Sequence, residues 1–470
     1  MMDEQTGTVT PPPEVLAVLA RLCPEVARDI SAHLHAPVSD YARHLWRPTH
    51  VPTSRLGTKA RLILREALRN WLHPHIPPES LQAALGEFDR TAVIQTGLHC
   101  QLLLDRITFD AFLLGWLGAV ENRLSNLFVF SGTTVTLETI GREGPGWLSV
   151  GGKKINLFGL GRHKLSRRSV CATGPVSLNQ RALEAVGDAA DGTRWLNILL
   201  ERKGEVFENA ADALAALNAD LISDWDRSVA TRPVFIDDRL AALALARHLD
   251  DEDSIPSKLL TNPDRRLRLE MALQSASSGP FGSFLPSGTL HFWGVRDRRI
   301  RKLAVENGRL VEPGKPQGLS VPLDRAHLRD ALLNGVLVPN LFLLFLTLAI
   351  LPRVRVLGGL RQIGYVPLFQ SVLAAVLDAN LPEERDLATD LRRRENGWGM
   401  RVINEPGSVG EQLASMPAGK MLSELRRHYS ERTLAEVTQN LVLISENARW
   451  RKLSQACHGD DRASSEPDSR

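Results

Sequence analysis

The chain has 470 residues, 43% of them hydrophobic and 24% charged, with a formal net charge of +3. That length exceeds what one compact core holds, so two or three structural units are expected, and the composition is that of a globular protein rather than a disordered or fibrous one. A pI near 8.7 is too mild a bias to indicate a specific nucleic-acid partner. The four cysteines, Cys23, Cys100, Cys171 and Cys457, form no CxxC pair. Together with an acidic, polar N-terminus lacking a signal-peptide pattern, they lead us to expect a cytoplasmic protein.

Residues 1–13 read as a disordered tail and 14–90 as an N-terminal helical region. Within it, apolar residues recur at helical spacing from Glu14 to Leu34 and from Ser54 to Leu72, and a short helix follows at Leu81–Phe88. The pattern changes at Thr91. A short buried strand, Ala92–Gln95, ends at Thr96-Gly97 and leads into a long apolar helix through Val120; a second strand, Leu127–Phe130, closes at Ser131-Gly132. Strand, glycine turn and helix open a doubly wound α/β unit. We therefore take 91–175 as the first part of a Rossmann-like core, with Thr133–Leu160 inserted as β-hairpin material. Residues 176–275 read as a mostly helical insertion that includes a short strand at Pro233–Ile236.

Residues 276–380 form the second part of the core, with a strand at Thr289–Val295 and another at Val354–Gly359, whose Gly358-Gly359 also reads as a turn. The stretch Ala331–Pro352 carries no charge, but Asn334, Gly335, Pro339 and Asn340 interrupt it. It is expected to be buried core and not a membrane span. Residues 381–455 are charged and helical, consistent with antiparallel helices or a coiled coil without a sustained heptad, and 456–470 read as a disordered tail.

Three segments in this order carry a resemblance: Val93–Gly115 (VIQTGLHCQLLLDRITFDAFLLG), Phe284–Leu303 (FLPSGTLHFWGVRDRRIRKL) and Leu337–Gln370, with its GGLRQIGY. Together they resemble the bacillithiol synthase family. The resemblance implies a Rossmann-like core and a C-terminal coiled coil able to form a homodimer. It also implies a ligase that joins cysteine to an amino-sugar conjugate beside a nucleotide pocket for ATP or ADP. The matching positions are Thr96, Gly97, Gly358, Gly359, Ile363 and Tyr365, with Leu102 where the family has a leucine. The sequence departs from the family after the second strand. There the family has an acidic, His-containing motif and this chain has SGTTVTLE, Ser131–Glu138; Leu360-Arg361-Gln362 also replaces a Pro-Gly-Glu. Both changes remove groups able to move a proton near neutral pH.

From the residues themselves, Thr96 and Gly97 are candidates for presenting a helix N-terminus to an anion, with a plain helix start as the alternative. His99, in the same expected turn, is the candidate general base, and Cys100 beside it reads as a small buried residue. Ser131, Thr133 and Thr134 sit where α/β ligands bind or else cap their own loop. His291 and Trp293, on one strand face, with Arg296 beyond them, are candidates for stacking on and neutralising a nucleotide. Gln362 and Tyr365 are the polar groups that the turn Gly358-Gly359 would aim at a ligand. Lys153, Lys154 and Arg162–Arg168 form a basic run, read as a solvated face or an anion site. No metal site is expected, since the His pairs lack metal-ligand spacing. The sequence thus favours a divergent bacillithiol-synthase-like enzyme that forms a C–N bond between an amino acid and a small polar acceptor. The alternative is a catalytically silent accessory protein that binds a nucleotide or partner.

Overall fold

The computed structural model of the chain describes residues 13–453 except 50, 75, 140–142, 151–152, 188–193, 226–229, 280, 286–287, 290, 360, 394–396, 399–408, 417–418, 440 and 442–447. The expected tails therefore lie almost wholly outside the described residues. The fold is mixed α/β. Its centre is a parallel sheet of β1 (Val93–His99), β2 (Asn126–Gly132), β3 (Arg232–Asp237) and β4 (Arg355–Leu357), with a two-residue edge, β5 (Gly397–Trp398). The order is β5-β4-β1-β2-β3, and every pairing is parallel.

Side chains alternate across the strands, and the two faces bury different cores. Val93, Leu127 and Val129 pack with α1 (Arg106–Glu121) on one side. Ile94, Phe128, Phe130, Ile236 and Val356 pack with α2 (Asp238–Leu249) on the other. Nearly continuous apolar strands are what a parallel sheet covered on both faces requires. The uncharged run Leu341–Ile350 is buried in the second core, as expected from its breaks. It is a short helix, Leu341–Phe345, running into a wider π-type turn where the Thr347 hydroxyl bonds the carbonyls of Leu343 and Leu344. Among the described residues no helix is long and apolar enough to cross a membrane.

Several elements differ from the sequence reading. The first strand does not stop at Gln95. It continues to His99, because β2 offers partners to Leu98 and His99 after a register shift that falls at Thr96-Gly97. The helix begins only at Arg106, where Asp105 caps it by accepting from the Thr108 backbone N–H at 2.9 Å. Thr133–Thr139 is no strand; it is held by the bridge from Thr136 to Ser169 and by backbone bonds such as Val170 N–H to the Val135 carbonyl and Leu137 N–H to the Arg168 carbonyl. The expected hairpin forms between Trp147–Val150 and Lys153–Asn156. The helix read from Glu14 to Leu34 is two, divided where Pro24 interrupts the backbone ladder. β3, read as part of a helical insertion, pairs with β2 along six residues and belongs to the central sheet.

The C-terminal region is helical, but its described helices are short: Pro382–Leu391, Val409–Ser415, Met421–Glu431 and Leu434–Thr438. Met421, Leu422, Leu425 and Tyr429 are buried in the first core of the same chain, so this face is occupied internally. None of these helices has the length of a coiled coil.

Candidate functional site

Two places at the carboxyl ends of the strands bring candidate residues together. The first is the gap between β1 and β4, where the chain's connections diverge to opposite edges of the sheet. In open parallel sheets this is where ligand crevices form. Here the gap is filled by the chain itself. α4 (Gln362–Val376) begins with Gln362, which is 1% exposed. Its Nε2 donates to the Val356 carbonyl at 2.8 Å, and its Oε1 accepts from the Thr96 hydroxyl at 2.6 Å. Gly358 has no side chain because there is no room for one: a Cβ there would stand 2.0 Å from Gln362 Oε1. The void beside Gln95, Leu357 and Gly358, bounded otherwise by Tyr41, Leu45, Ala111 and Leu114, is about 10 Å³, room for about one water molecule. The structure thus brings Thr96, Gly358 and Gln362 together as expected, but as a plug. Gly359 adjoins open space. Tyr365 points into an aromatic stack with Phe345 and Phe369, at ring distances of 5.3 and 5.7 Å.

The second place is a cavity of about 500 Å³. It is lined by Thr134 from the segment after β2, Asp238 from the start of α2, and Trp293 from the small sheet strand Phe292–Arg296. Phe342 and Leu344 come from the uncharged run and Phe369 from α4. Ser277 and Gly288 are exposed lining residues, and Asp238, only 3% exposed, is among the buried ones. The volume matches that of small-molecule sites.

Asp238 follows directly from the sequence IDDR, which ends β3 and starts α2. Asp237 caps the helix and pairs with Arg239, and Asp238 turns inward. Its Oδ2 accepts from the backbone N–H and the hydroxyl of Thr133, at 2.5 and 2.6 Å. Burial raises the Asp238 pKa to about 6 against the lowering effect of these two bonds, and the neighbouring Asp237 adds to the rise. A carboxyl whose pKa is raised toward neutrality by burial and that lines a cavity is a candidate acid–base group. The residues alone pointed to the hydroxyls Thr133 and Thr134 but missed the carboxylate that Thr133 holds. Its signal was the acidic pair at the end of a short apolar strand.

The other candidates are distributed as follows. Ser131 pairs in the sheet with Leu98 and Asp237. Gly97 lies within β1 at the register shift, and His99 is its last residue, so neither starts a helix; the His99 side chain lies outside the described residues. His291 precedes its strand instead of sharing it, is 1% exposed, and has its Nε2 3.1 Å from Glu270 Oε1. Arg296 donates to the Gln317 carbonyl at 2.8 Å and lines neither this cavity nor the next. Burial and the carboxylates Asp237 and Asp238 push the Cys100 thiol well above its usual value and Cys171 up to about 12. Both thiols are therefore inert.

A further cavity of about 540 Å³ lies beside the first, sharing Val135, and is lined by Arg106, Lys154, Glu143 and Trp147. Arg106 is paired at 2.9 Å with the buried Asp110, and Lys154 lies 3.9 Å from Glu143. No group of His, Cys, Asp and Glu suited to a metal is found among the described residues. No protein-family model matches the chain, and a comparison with curated proteins finds no match either.

Proposed function

We propose that the chain is an enzyme with a Rossmann-like core that forms a C–N bond between an amino acid and an amine acceptor, a divergent relative of the bacillithiol synthase type. The all-parallel strand order β3-β2-β1-β4-β5 within this sheet supports that reading. The observation that carries the reading is the Asp238 carboxyl, buried in the lining of a 500 Å³ cavity beside Thr133 and Thr134. An acceptor amine reaches the site as an ammonium ion and cannot attack until it loses a proton. At neutral pH a carboxylate with a pKa near 6 takes that proton and frees the nitrogen lone pair. Thr133 then holds the protonated or ionised carboxyl in one orientation.

A nucleoside triphosphate, when bound, supplies activation of the amino acid's carboxyl. In the adjacent cavity Arg106 and Lys154 are the cationic lining groups that would meet its phosphates, against the carboxylates Asp105, Glu143 and Glu411 of the same lining. The cavities share Val135, so two ligands would meet across the Thr133–Val135 segment. A second reading, a silent accessory protein, draws on the filled gap between β1 and β4.

The test is incubation of the purified chain with ATP, mixed amino acids and a panel of amines. Mass spectrometry is then used to look for condensation products that have lost one water. The wild type should yield a product, and Asp238→Asn should lower its rate by about 100-fold or more, the usual contribution of a general base. A variant as active as wild type would remove Asp238 from the chemistry. No product from any mixture would favour the accessory reading.

A further inference from the structure

Resting on the reading above, we infer that the acceptor is an apolar amine, a hydrocarbon or aromatic body with one ammonium group, and not an amino sugar or other polar acceptor. The geometry points to this through what lines the cavity and what the polar groups there are already doing. The walls are Leu273, Leu285, Trp293, Phe342, Leu344 and Phe369. Phe342 and Phe369 meet edge to face at 5.4 Å, giving the cavity an aromatic wall. A sugar in such a place would leave its hydroxyls without partners, which is costly in a dry pocket.

Most of the hydroxyl and amide groups in the lining are already engaged, and Thr134 is the one further neutral hydroxyl or amide side chain among its described residues. Ser277 donates its hydroxyl to the Leu273 carbonyl at 2.8 Å, and Thr289 donates to Leu303 at 2.9 Å. Asn340 caps the following helix with its oxygen, accepting from Leu343 N–H at 2.9 Å, and gives its amide to the Thr289 carbonyl at 3.1 Å. Among the described lining residues none is Lys, Arg or His, so a phosphate or carboxylate would find no counter-charge. The one charged group is the Asp238 carboxyl, buried and held from one side by Thr133. An apolar body with a single cationic end matches both the walls and that charge.

Titration calorimetry on the full chain at pH 7.5 tests this with four probes: 2-phenylethylamine, 2-phenylethanol, glucosamine and inorganic phosphate. The inference predicts binding of 2-phenylethylamine at least tenfold tighter than of any other probe. Asp238→Asn should weaken that binding at least tenfold, and Leu344→Trp, which fills the cavity, should abolish it. Circular dichroism establishes that each variant is folded; should Leu344→Trp fail to fold, Asp238→Asn decides alone. Glucosamine binding as tightly as 2-phenylethylamine overturns the inference and leaves the C–N reading standing. Equal binding of 2-phenylethanol overturns the requirement for charge, and no binding of either amine overturns the inference outright. If 2-phenylethylamine binds as predicted yet no mixture gives a product, the apolar-amine site stands and the ligase reading falls.

Discussion

At the residue scale, two buried side chains explain why one end of the sheet is closed and its neighbour open. Gln362 closes the gap beside β4 because both ends of its amide find partners, the Val356 carbonyl and the Thr96 hydroxyl. Gly358→Ala should expel it, since the new Cβ would stand 2.0 Å from its oxygen. Losing those two bonds should cost roughly 1–3 kcal/mol. A urea unfolding midpoint for Gly358→Ala equal to wild type would mean that Gln362 is not held there. Thr96, Gly358 and Gln362 were legible in the sequence as neighbours, but not as a plug, because which way an amide turns depends on carbonyls from distant strands. Asp238 works in the opposite sense. Its pKa in the fold is near 6, against an ordinary value of 3.8. The stability it contributes is therefore fully present below about 3.8 and lost as pH rises through about 6. His248 is buried and its pKa is lowered to about 3, so its contribution is present above the ordinary histidine value and lost as pH falls. The two oppose each other between pH 4 and 6, and only a variant comparison separates them.

At the scale of elements, local chemistry was readable and long-range contact was not. The helix at Arg55–Leu72 starts one residue after Ser54, whose hydroxyl accepts from the Gly57 N–H, as the sequence pattern suggests. The Thr96-Gly97 pair misled because a glycine after a short strand looks like a turn, while the pairing that prolongs β1 comes from β2. The C-terminal helices read as a possible coiled-coil seam because their charge is visible in the sequence and their apolar partner is not; that partner is the first core of the same chain. Helix α3 (Pro263–Ser278), which supplies Leu273 and Ser277 to the cavity, is tied to the C-terminal region by a buried pair. Arg265 meets Glu384 with two bonds of 2.7 and 3.1 Å, and Glu384 is 1% exposed. Glu384→Ala should destabilise the protein by about 3 kcal/mol, the low end for a broken buried pair, because Asp378, 3.7 Å from Arg265, remains as a counter-charge. Chemical denaturation measures this, and a loss under about 1 kcal/mol, typical of an exposed pair, would contradict it.

At the scale of the whole molecule, the mixed α/β class was legible because β1, β2 and β4 are apolar and alternate with helices. The strand order was not, since it depends on pairings between residues more than a hundred positions apart, such as Leu127 with Pro233. That order places the ends of β2 and β3 side by side, and so sets Thr133 against Asp238 beside the cavity. The fold keeps an ionisable carboxyl there at a cost to its own stability. Burial of that charge should cost up to about 3 kcal/mol at neutral pH. The direct measurement is urea unfolding of wild type and Asp238→Asn at pH 4.5 and pH 7.5. Between the two pH values the difference should shift in favour of the variant by about 2 kcal/mol. A difference that stays the same at both pH values, or shifts toward wild type as pH rises, would make Asp238 a structural anchor for Thr133 and contradict the account.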